Sequence, residues 1–183
     1  ANKYPCAVYS SLPYWLGYQY MEGVHAVPYF KVDWLINKNW NLVFGNIDNR
    51  NSHLLPEPLY NVEHVFASDP ETGVQLKMDK PFHKMDVWLN WQSFVFRNDI
   101  HQEAFSIGYN SQSFFDLRKD KLRLVMPLSF LVQHLGGENL SGSFSMQTWL
   151  NMAAGLRAEA KFGSINAALG FDYLFYKQAG KGD

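Results

Sequence analysis

The sequence predicts an all-β chain, an antiparallel up-and-down β-barrel of about eight strands of the outer-membrane type. Three observations carry that expectation. The first is the stretch from Phe144 to Tyr176, where apolar residues occupy even positions up to Phe162 and odd positions from Ile165 onward. A two-residue hairpin at Gly163-Ser164 pairs Phe162 with Ile165 and exchanges parity, so both apolar sets share one face, with Leu156 opposite Phe171 and Ala154 opposite Tyr173. Glycine at the first turn position suits the left-handed backbone of a primed turn. The second is the opposite face, which carries Ser145, Gln147, Asn151, Gly155, Asn166 and Gly170 with sparse charges of both signs. The third is that short connections near residues 38, 80, 119 and 163 alternate with longer ones at 48–71, 97–103 and 135–142.

Taken in order, residues 1–24 are rich in Tyr, Pro and Gly without a clean period and read as a loop or short irregular strand. Alternation begins near His25 and runs to Ile36, turns at Asn37-Lys38-Asn39, and returns through Trp40, Leu42 and Phe44. Residues 48–71, with Pro56, Pro58 and Asp69-Pro70, read as a long loop. Val74, Leu76 and Met78 mark a third strand, and a turn bearing Pro81 leads to a fourth over Met85–Phe96. Phe105 to Leu117 and Leu122 to Val132 flank the tight Lys119-Asp120 turn with the same exchange of parity. Two features oppose the strand reading. Pro127 lies inside a strand, where it removes a ladder hydrogen bond and implies an edge or a bulge. Met152 to Ala160 is rich in helix formers, yet a helix has no reason to show the parity exchange.

The composition is 47% hydrophobic, 16% aromatic and only 18% charged, against about 25% charged in an ordinary soluble domain. A face made of small uncharged polar residues suits a barrel lumen better than a water-exposed surface, which carries many Lys and Glu. Strands of 12 or more residues suit a tilted membrane span, and Trp40, Tyr109, Phe162 and Tyr176 suit interfacial girdles. The competing architecture is a soluble, lipocalin-like barrel with its greasy face inward. No apolar run reaches the length of a transmembrane helix, and Ala1-Asn2-Lys3-Tyr4 begins without the charged start and apolar core of a signal peptide, as expected of a mature protein or a piece of a longer one. A net charge of −1 leaves no footprint for nucleic acid. The single cysteine, Cys6, is expected to be a buried, inert thiol.

Candidate chemistry is thin. None of the six histidines shows a metal-ligand spacing, so neither metal nor cofactor is expected; a loose site from His53 and His64 with Glu57 and Glu63 is the weaker alternative. Asp99, His101 and Glu103 alternate in one loop with Ser106 following, an arrangement open to a Ser-His-acid reading but expected to be a self-bonded polar loop. No nucleophile-elbow or phosphate-loop motif is present. On the polar face, Arg123, Arg157, Glu159 and Asp172 are candidate lumen-lining residues, expected to pair structurally inside the barrel rather than select solutes. The tyrosines of the first 20 residues, with Trp15, offer stacking platforms for sugar rings but are expected to pack on their own barrel.

The stretch Asp86 to Phe105 (DVWLNWQSFVFRNDIHQEAF), with Asn41–Asn46 (NLVFGN) and Leu55–Tyr60 (LPEPLY), resembles uncharacterised outer-membrane β-barrel proteins of the Bacteroidota over about residues 1–135. Those proteins begin before a segment like Ala1–Pro5 and continue beyond Asp183, so the resemblance implies a fragment or a shortened member. It implies a fold and a location in the cell outer membrane, with lipid as the surrounding partner, and it implies no reaction. The functional expectation is therefore a non-enzymatic, porin-like envelope role: passage of small solutes, or display of loops to an envelope protein. A soluble barrel holding an apolar ligand is the second reading and an outer-membrane hydrolase the third.

Overall fold

The computed structural model describes residues 29–49, 53–59, 71–93, 102–118, 121–136 and 146–179. Cys6, the tyrosine-rich segment 1–24, His25, His64, Asp99 and His101 lie outside them. Eight strands form one sheet in strict chain order: β1 (Lys31–Asn37), β2 (Trp40–Asn46), β3 (Thr72–Lys80), β4 (His83–Ser93), β5 (Glu103–Arg118), β6 (Leu122–Gly136), β7 (Gln147–Phe162) and β8 (Ile165–Ala179). Every neighbouring pair is antiparallel, and β1 and β8 share no ladder, so the sheet is open along those two strands.

The last hairpin has the register its parity predicts. Phe162 pairs with Ile165, Leu156 with Phe171 and Ala154 with Tyr173, and Gly163 turns with φ +61°. Several boundaries differ from the sequence expectation, β4 beginning at His83 and not Met85 among them. Glu103 belongs to β5 and not to a loop, and β6 runs on to Gly136. Pro127 sits in a central strand. It pairs with Gln112 of β5, while the β6–β7 ladder lapses between Val125–Arg157 and Leu128–Ala154, so the strand side that lacks an N–H faces the gap.

Which face is buried decides between the two barrel readings. Gln75 is 0% exposed, Asn110 3%, Ser129 2% and Asn90 4%, whereas Trp34 is 59% exposed, Leu117 56% and Phe171 68%. Polar side chains lie inside and apolar ones outside, the reverse of a soluble barrel and the arrangement of a membrane barrel. The interior is filled. Leu55 and Leu59 of the long loop after β2 cluster with Ile47, Trp88 of β4, Leu131 of β6 and Ala153 of β7, with Leu174 of β8 packed against them. One short segment touching strands from β4 to β8 requires the sheet to curl around it. Tyr176 Oη donates to the Pro58 carbonyl at 3.3 Å and the Asn110 amide donates to the Leu54 carbonyl at 2.9 Å, tying the segment down.

Candidate active site

Three histidine constellations stand out, one inside the sheet and two on its outer face. Inside, His53 is 1% exposed and lies flat on Trp88, with ring centroids 3.8 Å apart and planes 5° from parallel. Gly108 makes room for that indole: a Cβ there would meet Trp88 Cζ2 at 2.0 Å. His53 Nδ1 is 3.0 Å from Asp86 Oδ2 and Nε2 is 3.0 Å from Glu71 Oε2. Gln75 completes the set; its amide donates to both Asp86 oxygens at 2.9 Å and to the Asp48 carbonyl at 2.9 Å, while Asp48 N–H donates to its oxygen. Lys77 Nζ lies 3.2 Å from the Asp48 carboxylate.

Burial pushes the His53 pKa down, but the hydrogen bonds and charges of Asp86 and Glu71 outweigh it and the net shift is upward. The ring, its protonated form favoured by the shift, sits between two carboxylates with both nitrogens engaged. It fastens the loop to the lumen wall and has no nitrogen left for a substrate. The weaker metal alternative drew on His53 and His64 with Glu57 and Glu63, of which His64 and Glu63 lie outside the described residues. The imidazole occupies the place between Glu71 and Asp86, and no group of metal-ligating side chains occurs among the described residues.

The other two constellations are imidazole–hydroxyl pairs. His134 near the end of β6 places Nδ1 2.9 Å from Thr148 Oγ1 at the start of β7, its direct cross-strand partner. Phe105 of β5 stacks on the same ring at 4.9 Å, and Trp91 of β4 meets Phe105 at 5.9 Å. Register makes these four residues one row across the outer face, at the end of the sheet where the long connections emerge. The far edge of the ring rests over Gly136, where a Cβ would come within 3.0 Å of His134 Nε2 and 2.7 Å of Met146 Cγ. His134 and Thr148 are half-buried, so the pair is held by its neighbours and still reachable from the outer face. The second pair, His83 Nδ1 with Ser113 Oγ at 2.9 Å, sits at the opposite, short-turn end.

Such a pair can perform acyl transfer. The imidazole accepts the hydroxyl proton as the oxygen attacks a carbonyl carbon, then returns a proton to the leaving oxygen. Sequence reasoning passed over both pairs because their members lie 14 and 30 residues apart and share no motif. The detectable signal was a histidine and a hydroxyl residue on the apolar parity of adjoining strands, where a polar side chain needs a reason to be.

The residues singled out from sequence lie elsewhere. Glu103 opens β5 opposite Gly136, and Ser106 is buried on the inner face opposite Asn90, with Asp99 and His101 outside the described residues. Arg123, Arg157, Glu159 and Asp172 all lie on the inner face. Arg123 pairs with Asp116 at 2.8 Å and, with Glu159, borders a cavity of about 370 Å³ at the short-turn end. Arg157 lies against Gly170, and Asp172 packs over Gly155.

A family model described as Lipid A 3′-O-deacylase-type matches residues 7–182. No curated protein and no solved structure matches the chain. The family match overturns the expected non-enzymatic envelope role, since a deacylase is an enzyme; of the three readings, the outer-membrane hydrolase comes nearest.

Proposed function

Because the chain belongs to the lipid A 3′-O-deacylase-type family, we propose that it is an outer-membrane ester hydrolase that removes an acyl chain from lipid A, with His134 and Thr148 at its centre. The observation that carries this reading is the 2.9 Å contact between His134 Nδ1 and Thr148 Oγ1 on the lipid-facing side of the sheet, at the long-loop end. Bacterial barrels turn their short connections to the periplasm and their long loops outward. The long-loop rim therefore meets the outer leaflet, where lipid A resides, and the opposite rim does not. A lipid ester reaches such a pair sideways from the membrane without entering the filled interior.

In this reading Thr148 Oγ attacks the ester carbonyl while His134 takes its proton. The ester C–O bond breaks, His134 protonates the departing sugar oxygen, and water then releases the fatty acid from Thr148. Phe105 holds the imidazole plane, and Gly136 lets the ring edge and the Met146 side chain approach its backbone.

The test is fatty-acid release from lipid A by the refolded protein, followed by mass spectrometry. His134→Gln is expected to lower the rate by about 10²–10⁴-fold. Thr148→Val is expected to abolish turnover and Thr148→Ser to retain it, with each variant shown to be folded by a shift in gel migration between unboiled and boiled samples. Undiminished release by His134→Gln would end this assignment.

A further inference from the structure

The second imidazole–hydroxyl pair belongs to neither the lumen latch nor the outer-leaflet site. His83 opens β4 directly after the Pro81-Phe82 turn, and its Nδ1 lies 2.9 Å from Ser113 Oγ. Lys80 is the ladder partner of His83, so Lys80, His83 and Ser113 make one row over β3, β4 and β5 on the outer face. His83 and Ser113 are half-buried. A serine and a histidine facing lipid are costly to desolvate unless bonded. Their mutual bond satisfies Ser113 and one ring nitrogen, while His83 Nε2 has no hydrogen-bond partner among the described residues.

The surroundings give the row a ligand class. Of the nearby rim charges, Asp79 is engaged by Lys84 at 3.4 Å and Asp116 by Arg123 at 2.8 Å. Lys80 has no ion pair among the described residues, and its ammonium lies 5.8 Å from the Phe82 ring centroid, the position of a cation extended toward the headgroup layer.

We propose that Lys80, His83 and Ser113 form a second acyl-transfer site, facing the periplasmic leaflet, whose substrate is an anionic glycerophospholipid ester. It rests on the outer-membrane reading above but not on His134. The Lys80 ammonium holds the lipid phosphate. Ser113 Oγ bonds to the ester carbonyl carbon as its proton passes to His83 Nδ1. The ester C–O bond then breaks, the proton moves to the glycerol oxygen, and interfacial water hydrolyses the acyl-serine to free fatty acid. The sum is ester plus water giving acid plus alcohol.

The experiment uses the full chain refolded in vesicles of phosphatidylglycerol or of phosphatidylcholine, with fatty-acid release and fluorophosphonate labelling as readouts. The expected result is release from phosphatidylglycerol and a covalent adduct on Ser113. Ser113→Ala and His83→Gln should lower release about 100-fold or more, with lipid A deacylation unchanged. Lys80→Gln should reduce the rate on phosphatidylglycerol about fivefold, the factor a surface lysine contributes toward an anionic membrane. No release and no Ser113 adduct from folded wild-type protein would overturn the proposal and leave a cross-strand hydrogen bond. Release that persists in Ser113→Ala would overturn it equally. Loss of lipid A deacylation in Ser113→Ala would overturn both this site and the assignment to His134. Loss of lipid A deacylation in His134→Gln alone would leave the two sites separate. Should Ser113→Ala fail to fold, the adduct on the wild-type protein decides.

Discussion

His53 and Leu54 have φ of 53° and 59°, the left-handed region that costs a non-glycine residue about 1–3 kcal/mol. What offsets that strain is the seat of the imidazole: two carboxylates at 3.0 Å, an indole at 3.8 Å and the neighbouring Leu55 and Leu59 packed in the lumen. Removing the ring leaves Glu71 and Asp86 buried without their cation. His53→Ala is therefore expected to cost about 3–5 kcal/mol in unfolding free energy, measured by urea titration of the folded protein in detergent. The sign of the pH dependence follows from the upward shift. The contribution of His53 is fully present below the unfolded value of about 6.5 and is lost as pH rises through the higher folded value. Wild-type stability should decline as pH rises above about 6.5 through the folded value, and the His53→Ala variant should lack the slope; the Lys77–Asp48 pair beside it is present in both proteins. A wild-type curve rising through the same window would refute the latch.

At the scale of the element, two strands carry their function through missing groups. In β5, Gly108 lets the Trp88 indole of β4 lie flat against its backbone. Gly108→Ala drives a rigid ring out of place and should cost about 1–3 kcal/mol while loosening the loop seated on it. Limited proteolysis between β2 and β3 would register that loosening, and an unchanged cleavage pattern would separate the glycine from the latch. Gly155→Ala meets Asp172 Oδ1, which can swing away, and also the Phe171 carbonyl at 2.8 Å, so the exposed strand β8 must shift to take the methyl group. In β6, Pro127 removes a donor where the ladder to β7 already lapses, which is why a central strand tolerates it.

For the whole molecule, the consequence of an inverted sheet, on the proposed outer-membrane reading, is that lipid stabilises the apolar face and the packed loop the polar one. Leu128→Arg, on the outer face near the middle of β6, should reduce folding into vesicles by about 2–4 kcal/mol, the depth-dependent cost of an arginine at the bilayer centre. Asn166→Arg, on the inner face at the short-turn rim, should be nearly neutral. Equal penalties at the two positions would contradict the orientation of the faces. The filled interior also fits an enzyme that works at its lipid-facing surface better than a conduit.

Periodicity determined much of this protein by itself. The strand count, the chain-order topology, the register of the last hairpin and the polarity of the two faces follow from a side-chain period of two that reverses at each tight turn, a local property readable without neighbours. The Bacteroidota-like motif segment contains Asp86, Trp88 and Asn90, all of which prove to be interior residues. What only the tertiary structure decided is which residues meet. Registers of strands far apart in sequence bring His134 to Thr148 and His83 to Ser113, and the fold of a loop brings His53 to Glu71 and Asp86 across 18 and 33 residues. Alternation tells each residue its face; pairing across strands and loops, set by long-range hydrogen bonding, tells it its partner, and the chemistry lies with the partner.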